Sequence, residues 1–282
     1  MERKTYPSDL TNAQWAVLEP LIPPANPNTR PRKHPMRRVV EALLYVVKEG
    51  CTWRAVPHDF LVPWRTVYNY FRAWGRDGSR DRLLGVLREA VRAKDGREPT
   101  PSAACADSQS VKTAEGGEAR GTDGGKLVKG RERHIVVDTL GLLLAVTVTA
   151  ANVDDARGAE ANFARLPSGE LPRLARVWAD SKYHNHKLHA WMAASGCRFE
   201  LEIVSRPPGT KGFVVLPKRW MVGRTFAWLG KSRRLSKDYE RLVETSESMI
   251  KISAIHHVLR RLKPKRGRKQ FRFKRPVKAV AA

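Results

Sequence analysis

The chain has 282 residues, and 53 Lys and Arg against 28 Asp and Glu give it a formal charge of +25. Hydrophobic residues make up 41% of it, enough for a packed core, so global disorder is excluded. The cysteines Cys51, Cys105 and Cys197 form no C-x-x-C pair and the longest apolar stretch is about a dozen residues, which excludes a disulfide scaffold, a structural zinc site and a membrane span. The positive excess favours a nucleic acid as the partner of a reduced, cytoplasmic protein.

The N-terminal third of the chain predicts a series of short helices. Thr11 and Gln14 form a capping-box pattern at the start of the first one. The run VVEALLYVV predicts a mostly buried helix from Arg37 to about Gly50, and a short helix over residues 52–56 follows.

The helix predicted to begin at Pro63 is amphipathic. Apolar residues recur along it at helical spacing, namely Val67, Tyr70, Phe71 and Trp74. The opposite face is polar and mostly basic, with Arg65, Asn69, Arg72 and Arg76. A helix, a short helix and a basic helix have the layout of a helix-turn-helix unit, whose last helix could lie in the major groove of DNA. A plain three-helix bundle without DNA contact is the alternative.

After one more helix over residues 79–93, the hydrophobic period changes near residue 98. Short apolar runs then predict strands, namely SAACAD, RHIVVD, LLLAVTVTAA, RVWAD, FELEIVS and FVVLP. The Gly-rich run GGEARGTDGGKLVKG lacks the order of a phosphate-binding loop and is interpreted as a flexible basic loop. Helices are predicted near residues 155–166, 186–195, 219–231 and 236–262. A mixed sheet flanked by helices is the expected architecture.

Two acids stand at the ends of apolar strands in this basic chain. Asp107 and Asp180 each follow such a strand and precede a serine. Carboxylate oxygens favour Mg²⁺ or Mn²⁺, and such ions can activate a nucleophile in phosphodiester chemistry. From the pattern alone, a turn-capping role for each Asp is equally compatible. Asp154 and Asp155 precede a predicted helix and are interpreted as its caps.

Several strings of the chain resemble bacterial insertion-sequence transposases of the DDE class, in the insertion-sequence-five group. The strings are GCTWRAVPHDF, WRTVYNYFRAW, DSQSVKT, GRERHIVVDTLGLLLAVTVTAANVDD, VWADSKY and KRWMVGRTFAWLGKSRRLSKDYERLVETSESMI, and they span about residues 8–262. The resemblance implies a ribonuclease-H-like α/β domain, a mixed sheet flanked by helices, preceded by an all-α helix-turn-helix-like DNA-binding domain. It also implies Asp107 and Asp180 as the first two catalytic acids and ligands of Mg²⁺ or Mn²⁺.

The same resemblance implies the activity and the partners. Such enzymes bind the terminal inverted repeats of their element, cut the ends by metal-assisted attack of water and join the freed 3′-hydroxyl to target DNA. The expected partners are double-stranded DNA, both element ends and target, and further copies of the chain in a synaptic complex. We therefore expect a cytoplasmic, nucleoid-associated protein with no membrane partner.

The third acid of the family is absent at its expected position. In the string KRWMVGRTFAWL the catalytic Glu is replaced by Gly223, and a glycine inside a helix also costs about 1 kcal/mol relative to alanine. Arg219 and Arg224 match basic residues expected to face the DNA or the acids. The downstream Lys position of the family aligns with Gly230, beside Lys231.

Glu240 is the alternative third acid. Along a continuous helix it would lie roughly 25 Å from position 223 at 1.5 Å per residue, so only a sharp turn near Leu235 would bring it to the site. Two hypotheses follow: an active enzyme with an unconventional third ligand, and a catalytically inactive remnant that still binds element ends. A non-transposing nuclease or an RNA-associated protein is a weaker third alternative.

We expect a DNA-binding domain over residues 1–98, a catalytic domain over 99–262 and a basic tail over 263–282. The tail carries nine Lys and Arg and no acid. It is interpreted as an arm that follows DNA phosphates, with a solvated disordered end as the alternative.

Overall fold

The computed structural model describes residues 3–25, 27–28, 31–114, 116–167, 169–205, 209, 216 and 218–265. Its N-terminal part contains the helices α1 (Asn12–Leu18), α2 (Met36–Glu49), α3 (Trp64–Arg76) and α4 (Ser79–Lys94). The predicted capping box of α1 is confirmed, since the Thr11 hydroxyl accepts from the Gln14 main-chain N–H and the Gln14 side chain accepts from that of Thr11. Gly50, with a φ of 78°, ends α2 in the left-handed conformation.

The segment between α2 and α3 differs in detail from the prediction. The short helix expected over residues 52–56 is a 3₁₀ turn, Trp53–Ala55, and a second 3₁₀ turn, His58–Phe60, follows it. Residues 50–63 are therefore a longer connection than the three- or four-residue turn of a standard helix-turn-helix. The buried face of α3 is Val67, Phe71 and Trp74.

In the described part of the chain, six strands form one mixed sheet. They are β1 (Ala103–Lys112), β2 (Gly121–Asp123), β3 (Val128–Asp138), β4 (Leu143–Ala150), β5 (Arg176–Ala179) and β6 (Glu200–Ile203). β1 lies in the middle, antiparallel to β3 and parallel to β5; β6 extends the β5 side in parallel, and β2 and β4 pair with the far edge of β3.

Helices cover both faces of this sheet. α5 (Asp155–Phe163) and α6 (His186–Ala194) pack on one face, around an apolar cluster that includes Ala104, Val136 and Leu188. α7 (Trp220–Leu229) and α8 (Val243–Leu262) belong to a second cluster, which also contains Cys105 and Val137. This is the predicted ribonuclease-H-like α/β fold with a helical N-terminal region.

The second apolar cluster is shared between the two halves of the chain. It joins buried residues of α2, α3 and α4 to residues of α8 such as Ile252, Ile255 and Leu259. Polar contacts also join the two halves of the chain: the Lys94 ammonium on α4 donates to the carbonyl of Leu262 at the end of α8. The predicted domain boundary near residue 98 lies between α4 and β1, and the helices before it pack directly on α8.

Two expectations along the chain need correction. The Gly-rich run contains β2 and the start of β3, which pair with one another, so the prediction of a flexible loop is wrong for its second half. The helix predicted over 236–262 begins only at Val243. The candidate strand FVVLP falls almost entirely outside the described residues.

The late start of α8 has a clear cause. Two buried arginines of β3, Arg131 and Arg133, donate to main-chain carbonyls of residues 235–241. Asp238 also pairs with Arg131 at 3.2 Å and forms a bridge with Thr113 at the end of β1. These bonds hold the segment extended against the sheet, so it cannot continue as a helix.

Candidate active site

Asp107 and Asp180 lie side by side where β5 ends next to the middle of β1. The parallel pairing of β1 with β5 puts Cys105 opposite Trp178, so each aspartate stands two residues beyond a paired position. Because neighbouring parallel strands run in the same direction, their side chains at equal offsets meet. Asp180 directly follows β5, as predicted. Asp107 lies inside β1, which continues to Lys112 in register with β3, so the prediction that this strand ends at Asp107 is wrong.

Arg219 joins the two carboxylates. Its Nη2 lies 3.4 Å from Asp107 Oδ2 and 3.5 Å from Asp180 Oδ2. Arg219 directly precedes α7, and its carbonyl faces the Cys105 thiol on β1. One guanidinium therefore compensates two carboxylates that come from positions far apart in the chain.

Main-chain N–H groups fix the other oxygen of each carboxylate. Ser108 N donates to Asp107 Oδ1 at 2.8 Å, and Lys182 N donates to Asp180 Oδ1 at 3.0 Å. Burial raises the pKa of Asp107 to about 6, and the charge of Asp180 acts in the same direction, against the lowering effects of Ser108 N–H and Arg219. About a quarter of each carboxylate side chain remains exposed, 27% and 25%, so the pair is reachable from solvent.

Gly223 lies on α7, one helical turn beyond Arg219. The position is exposed, and a Cβ built there would meet no atom within 4 Å. Residues four apart on a helix share a face, so a side chain at position 223 would extend on the side that carries Arg219. The helix is therefore formed without the glutamate of the family pattern, and it has room for one.

The donor set suits a divalent ion only in part. Asp107 and Asp180 converge on one cation, and carboxylate oxygens are the ligands that Mg²⁺ and Mn²⁺ prefer. Within the described residues, no three His, Cys, Asp or Glu side chains are grouped so that they could hold a metal ion. Two carboxylates that could hold such an ion therefore lie together, and position 223 supplies no third.

Glu240 is not brought to this pair. The chain does turn after α7, through the 3₁₀ turn Arg233–Leu235, but Glu240 is buried where its carboxylate accepts from Arg234 Nε at 2.7 Å. Its neighbour Asp238 is bonded to Lys112, five residues beyond Asp107 on β1 and thus about 17 Å along the strand. Glu240, the alternative third acid, is therefore part of an ion pair near the C-terminal end of β1, away from Asp107 and Asp180.

From the family pattern, Arg224 is expected to face the DNA or the acids, and its placement at the acids is wrong. Arg224 does not join Arg219 at the acids; its guanidinium lies between the rings of Trp220 and Trp228, 4.3 and 4.5 Å from their centres, and donates to the Leu140 carbonyl. The cation is held by these rings and by the β3–β4 turn. Lys231 is exposed just beyond α7.

The polar face predicted for α3 is exposed as a continuous stripe. Arg65, Asn69, Arg72 and Arg76 all face solvent, at successive helical turns. The guanidinium groups of Arg65 and Arg72 lie 5.5 and 5.9 Å from the ring centres of Trp64 and Tyr68. The stripe is a surface of the kind that phosphates bind.

Sequence reasoning missed a polar network behind the acid pair. Glu132 on β3 and Asp155 at the start of α5 are both buried, and the Ser108 hydroxyl lies between them. Lys126 pairs with Glu132 at 2.7 Å, and Lys182 with Asp155 at 3.3 Å. The sequence did carry one signal for this network. ANVDD has two adjacent aspartates, Asp154 and Asp155, and a helix needs only one N-cap, so the second aspartate was free for another role.

Comparisons with known proteins identify the family of the chain. A family model described as a putative transposase of the IS4/5 family matches residues 10–84, and a transposase DDE domain model matches residues 98–259. The chain is 31% identical over 116 residues to an insertion element IS402 uncharacterized 16.2 kDa protein from Burkholderia cepacia, covering 38% of this chain and 75% of that protein.

A second relative from Burkholderia cepacia is named as a putative transposase for insertion sequence element IS402. It is 28% identical over 129 residues, covering 44% of this chain and 60% of its own length. The family model for the DDE domain spans more than half of the chain, over the strands and helices that carry Asp107, Asp180 and Gly223. The chain belongs to the DDE transposases of the IS4/5 family.

Proposed function

We propose that this transposase binds the ends of an insertion sequence and that Asp107 and Asp180 are two of the three acids of its DNA-cutting centre. One observation carries the proposal: the two carboxylates meet at a single cationic group, 3.4 and 3.5 Å from Arg219 Nη2. Bringing two carboxylates together costs free energy, because both lose water and their charges repel one another. A site that binds a cation accounts for such an arrangement.

The chain's own residues have distinct roles in this proposal. Asp107 and Asp180 would hold the divalent ion, which supplies Lewis-acid stabilisation and an activated water when bound. Arg219 neutralises the pair without the ion and lies where the DNA phosphate would approach. The partly exposed edge of the pair gives the scissile strand access. Strand transfer to target DNA, synapsis of two copies and action at the nucleoid follow from the family's chemistry.

The exposed stripe on α3 is the proposed recognition surface for element ends. Arg65, Arg72 and Arg76 supply positive charge for phosphates, and Asn69 can form paired hydrogen bonds with an adenine edge. The net charge of +25 supports a DNA partner independently of this stripe, because counterion release drives such binding.

A second candidate function is favoured by Gly223. The chain as written binds element ends without cutting them, since one of three carboxylates is missing and the space at position 223 is open. Loss of one preorganised electrostatic group commonly costs about 10² to 10³ in rate. In this form the protein would act as a DNA-binding competitor of an intact transposase.

The test uses labelled duplexes that carry the DNA flanking the gene on each side. The parent chain, Gly223→Glu and the neutral control Gly223→Gln are incubated with Mg²⁺ or Mn²⁺, and strand cleavage and joining are measured together with binding. Equal binding by all three, with cleavage only by Gly223→Glu, is expected. Cleavage by the parent at the rate of Gly223→Glu would refute the assignment of position 223, and failure of all three to bind these ends above random DNA would refute the proposed function.

A further inference from the structure

Asp155 is the first residue of α5, and its carboxylate lies behind the acid pair. The side chain is 8% exposed. Its Oδ1 accepts from the Ser108 hydroxyl, and its Oδ2 lies 3.3 Å from Lys182 Nζ. One buried carboxylate therefore contacts one residue from β1 and one from the turn after β5.

Those two residues are the ones that hold the catalytic carboxylates. Ser108 N donates to Asp107 Oδ1, and Lys182 N donates to Asp180 Oδ1. Within the described residues, Asp155 forms no hydrogen bond with either aspartate, yet it contacts both of their main-chain partners. A shift of Ser108 relative to Lys182 would change the separation of Asp107 and Asp180.

Helix capping does not account for Asp155. The cap of α5 is Asp154, whose Oδ1 accepts from Ala156 N at 2.9 Å, which confirms one half of the prediction for this pair. The helix is also fixed against the sheet, because a Cβ at Gly158 would lie 2.1 Å from the His134 ring. The start of α5 is therefore a rigid support from which Asp155 reaches Ser108 and Lys182.

The second acid near Ser108 does not replace Asp155. Glu132 Oε1 lies 2.9 Å from the Ser108 hydroxyl, but it also accepts from Lys126 Nζ at 2.7 Å and from Ser110. A serine hydroxyl has one proton to donate. The Ser108 hydroxyl lies closer to Asp155 than to Glu132, so its proton is assigned to the bond with Asp155.

We propose that Asp155 is a positioning residue that sets the spacing of Asp107 and Asp180 through Ser108 and Lys182. The inference rests on the proposed function, since it assigns Asp155 to the same metal-binding pair. Groups that orient metal ligands from behind typically change metal affinity about 10-fold to 100-fold when they are removed.

The test measures Mn²⁺ affinity by electron paramagnetic resonance of the free ion, in full-length Gly223→Glu protein without DNA. Binding at this site is defined as the part of the Mn²⁺ binding that the Asp107→Asn substitution abolishes. Asp155→Ala is compared with Asp155→Asn, whose amide oxygen can still accept from Ser108, and with Asp154→Ala, which removes the helix cap beside it. Thermal melting of each variant shows that it is folded.

We expect Asp155→Ala to weaken Mn²⁺ binding at this site about 10-fold to 100-fold. Asp155→Asn should recover most of that loss, and Asp154→Ala should lower the melting temperature while leaving the Mn²⁺ affinity within about twofold. Unchanged affinity in a folded Asp155→Ala, or an equal loss in Asp154→Ala, would overturn the inference alone. Absence of an Asp107-dependent Mn²⁺ site in the Gly223→Glu host would overturn the proposed metal centre and the inference with it.

Discussion

Arg219 Nη2 lies 3.4 Å from Asp107 Oδ2, and the same nitrogen lies 3.5 Å from Asp180 Oδ2. The guanidinium thus stands where the two carboxylates converge, and it compensates charges that would otherwise repel one another in a partly desolvated place. The Arg219 contacts therefore link two properties of the chain: its stability without a metal ion and its ability to bind a metal ion.

Arg219→Ala should destabilise the metal-free protein by about 1–3 kcal/mol, because two neighbouring carboxylates lose their shared partner. Added Mn²⁺ should raise the melting temperature of this variant more than that of the parent, since a ligand that binds only the folded state stabilises it. Arg176→Ala is the control, as Arg176 forms half-exposed pairs with Glu200 and Glu202. Equal Mn²⁺ responses in Arg219→Ala and the parent would contradict the account.

Two helix glycines should respond in opposite directions to alanine. Gly223→Ala should stabilise the protein by about 1 kcal/mol, since the position is open and the helix gains propensity. Gly158→Ala should destabilise it by about 1–3 kcal/mol, because the new methyl group meets the buried His134 ring, whose Nε2 is bonded to Thr149. Urea unfolding measures both changes. A shift of the same sign in both variants would be inconsistent with the packing described for α5.

The α3 stripe should contribute to DNA affinity through phosphates. Arg72→Ala and Arg76→Ala should each weaken binding to element ends and reduce the slope of log K against log salt by about 1. Arg157→Ala, an exposed arginine on α5 on the other side of the sheet, is the matched control. If the α3 variants leave the slope at the parent value, another surface carries the DNA.

Stability should fall on acidification through two histidines of α8. Burial, aided by Arg261 and Lys231, lowers the pKa of His257 to about 4, and burial lowers that of His256 to about 3. An unfolded histidine has a pKa near 6.5, so this stabilisation is complete above about pH 6.5 and is lost as the pH falls toward the folded values.

His257→Phe isolates this effect. It keeps an aromatic ring against Trp228, whose centre lies 4.1 Å from that of the histidine. Between pH 6.5 and 4 the variant should lose less stability than the parent, by up to about 1.4 kcal/mol per pH unit. His189→Phe, at an exposed histidine of α6, is the matched control. A parent and a His257→Phe variant with parallel pH profiles would disprove the assignment.

The parts of the structure set by local pattern could be predicted from the sequence. The α3 face follows from the spacing of Val67, Phe71 and Trp74, and the position of Asp180 follows from an apolar strand that ends just before it. The same pattern misplaced the end of β1, which continues past Asp107 to Lys112. The sheet and its flanking helices follow from the change of hydrophobic period near residue 98. These features depend on neighbours within one element.

The parts of the structure that depend on contacts between distant residues could not be predicted from the sequence. The extended segment before α8 is held by carbonyl bonds to Arg131 and Arg133, which are about a hundred positions earlier in the chain. Arg224 is turned away from the acids by two tryptophans and by the Leu140 carbonyl. The role of Asp155 depends on Ser108 and Lys182 coming together in the fold. The periodicity of the sequence does not indicate such tertiary contacts.

The central claim is that Asp107 and Asp180 act as one centre that lacks its third acid. Single-turnover cleavage of a labelled element end by Gly223→Glu, alone and combined with Asp180→Asn, tests it most directly. Asp123→Asn, at the last residue of β2, where the carboxylate contacts Ser110 and Lys126, is the matched control. We predict that Asp180→Asn lowers the cleavage rate by about 10³ or more at unchanged DNA affinity while Asp123→Asn cuts normally. Cleavage by the Asp180→Asn combination at the rate of Gly223→Glu alone would contradict the account.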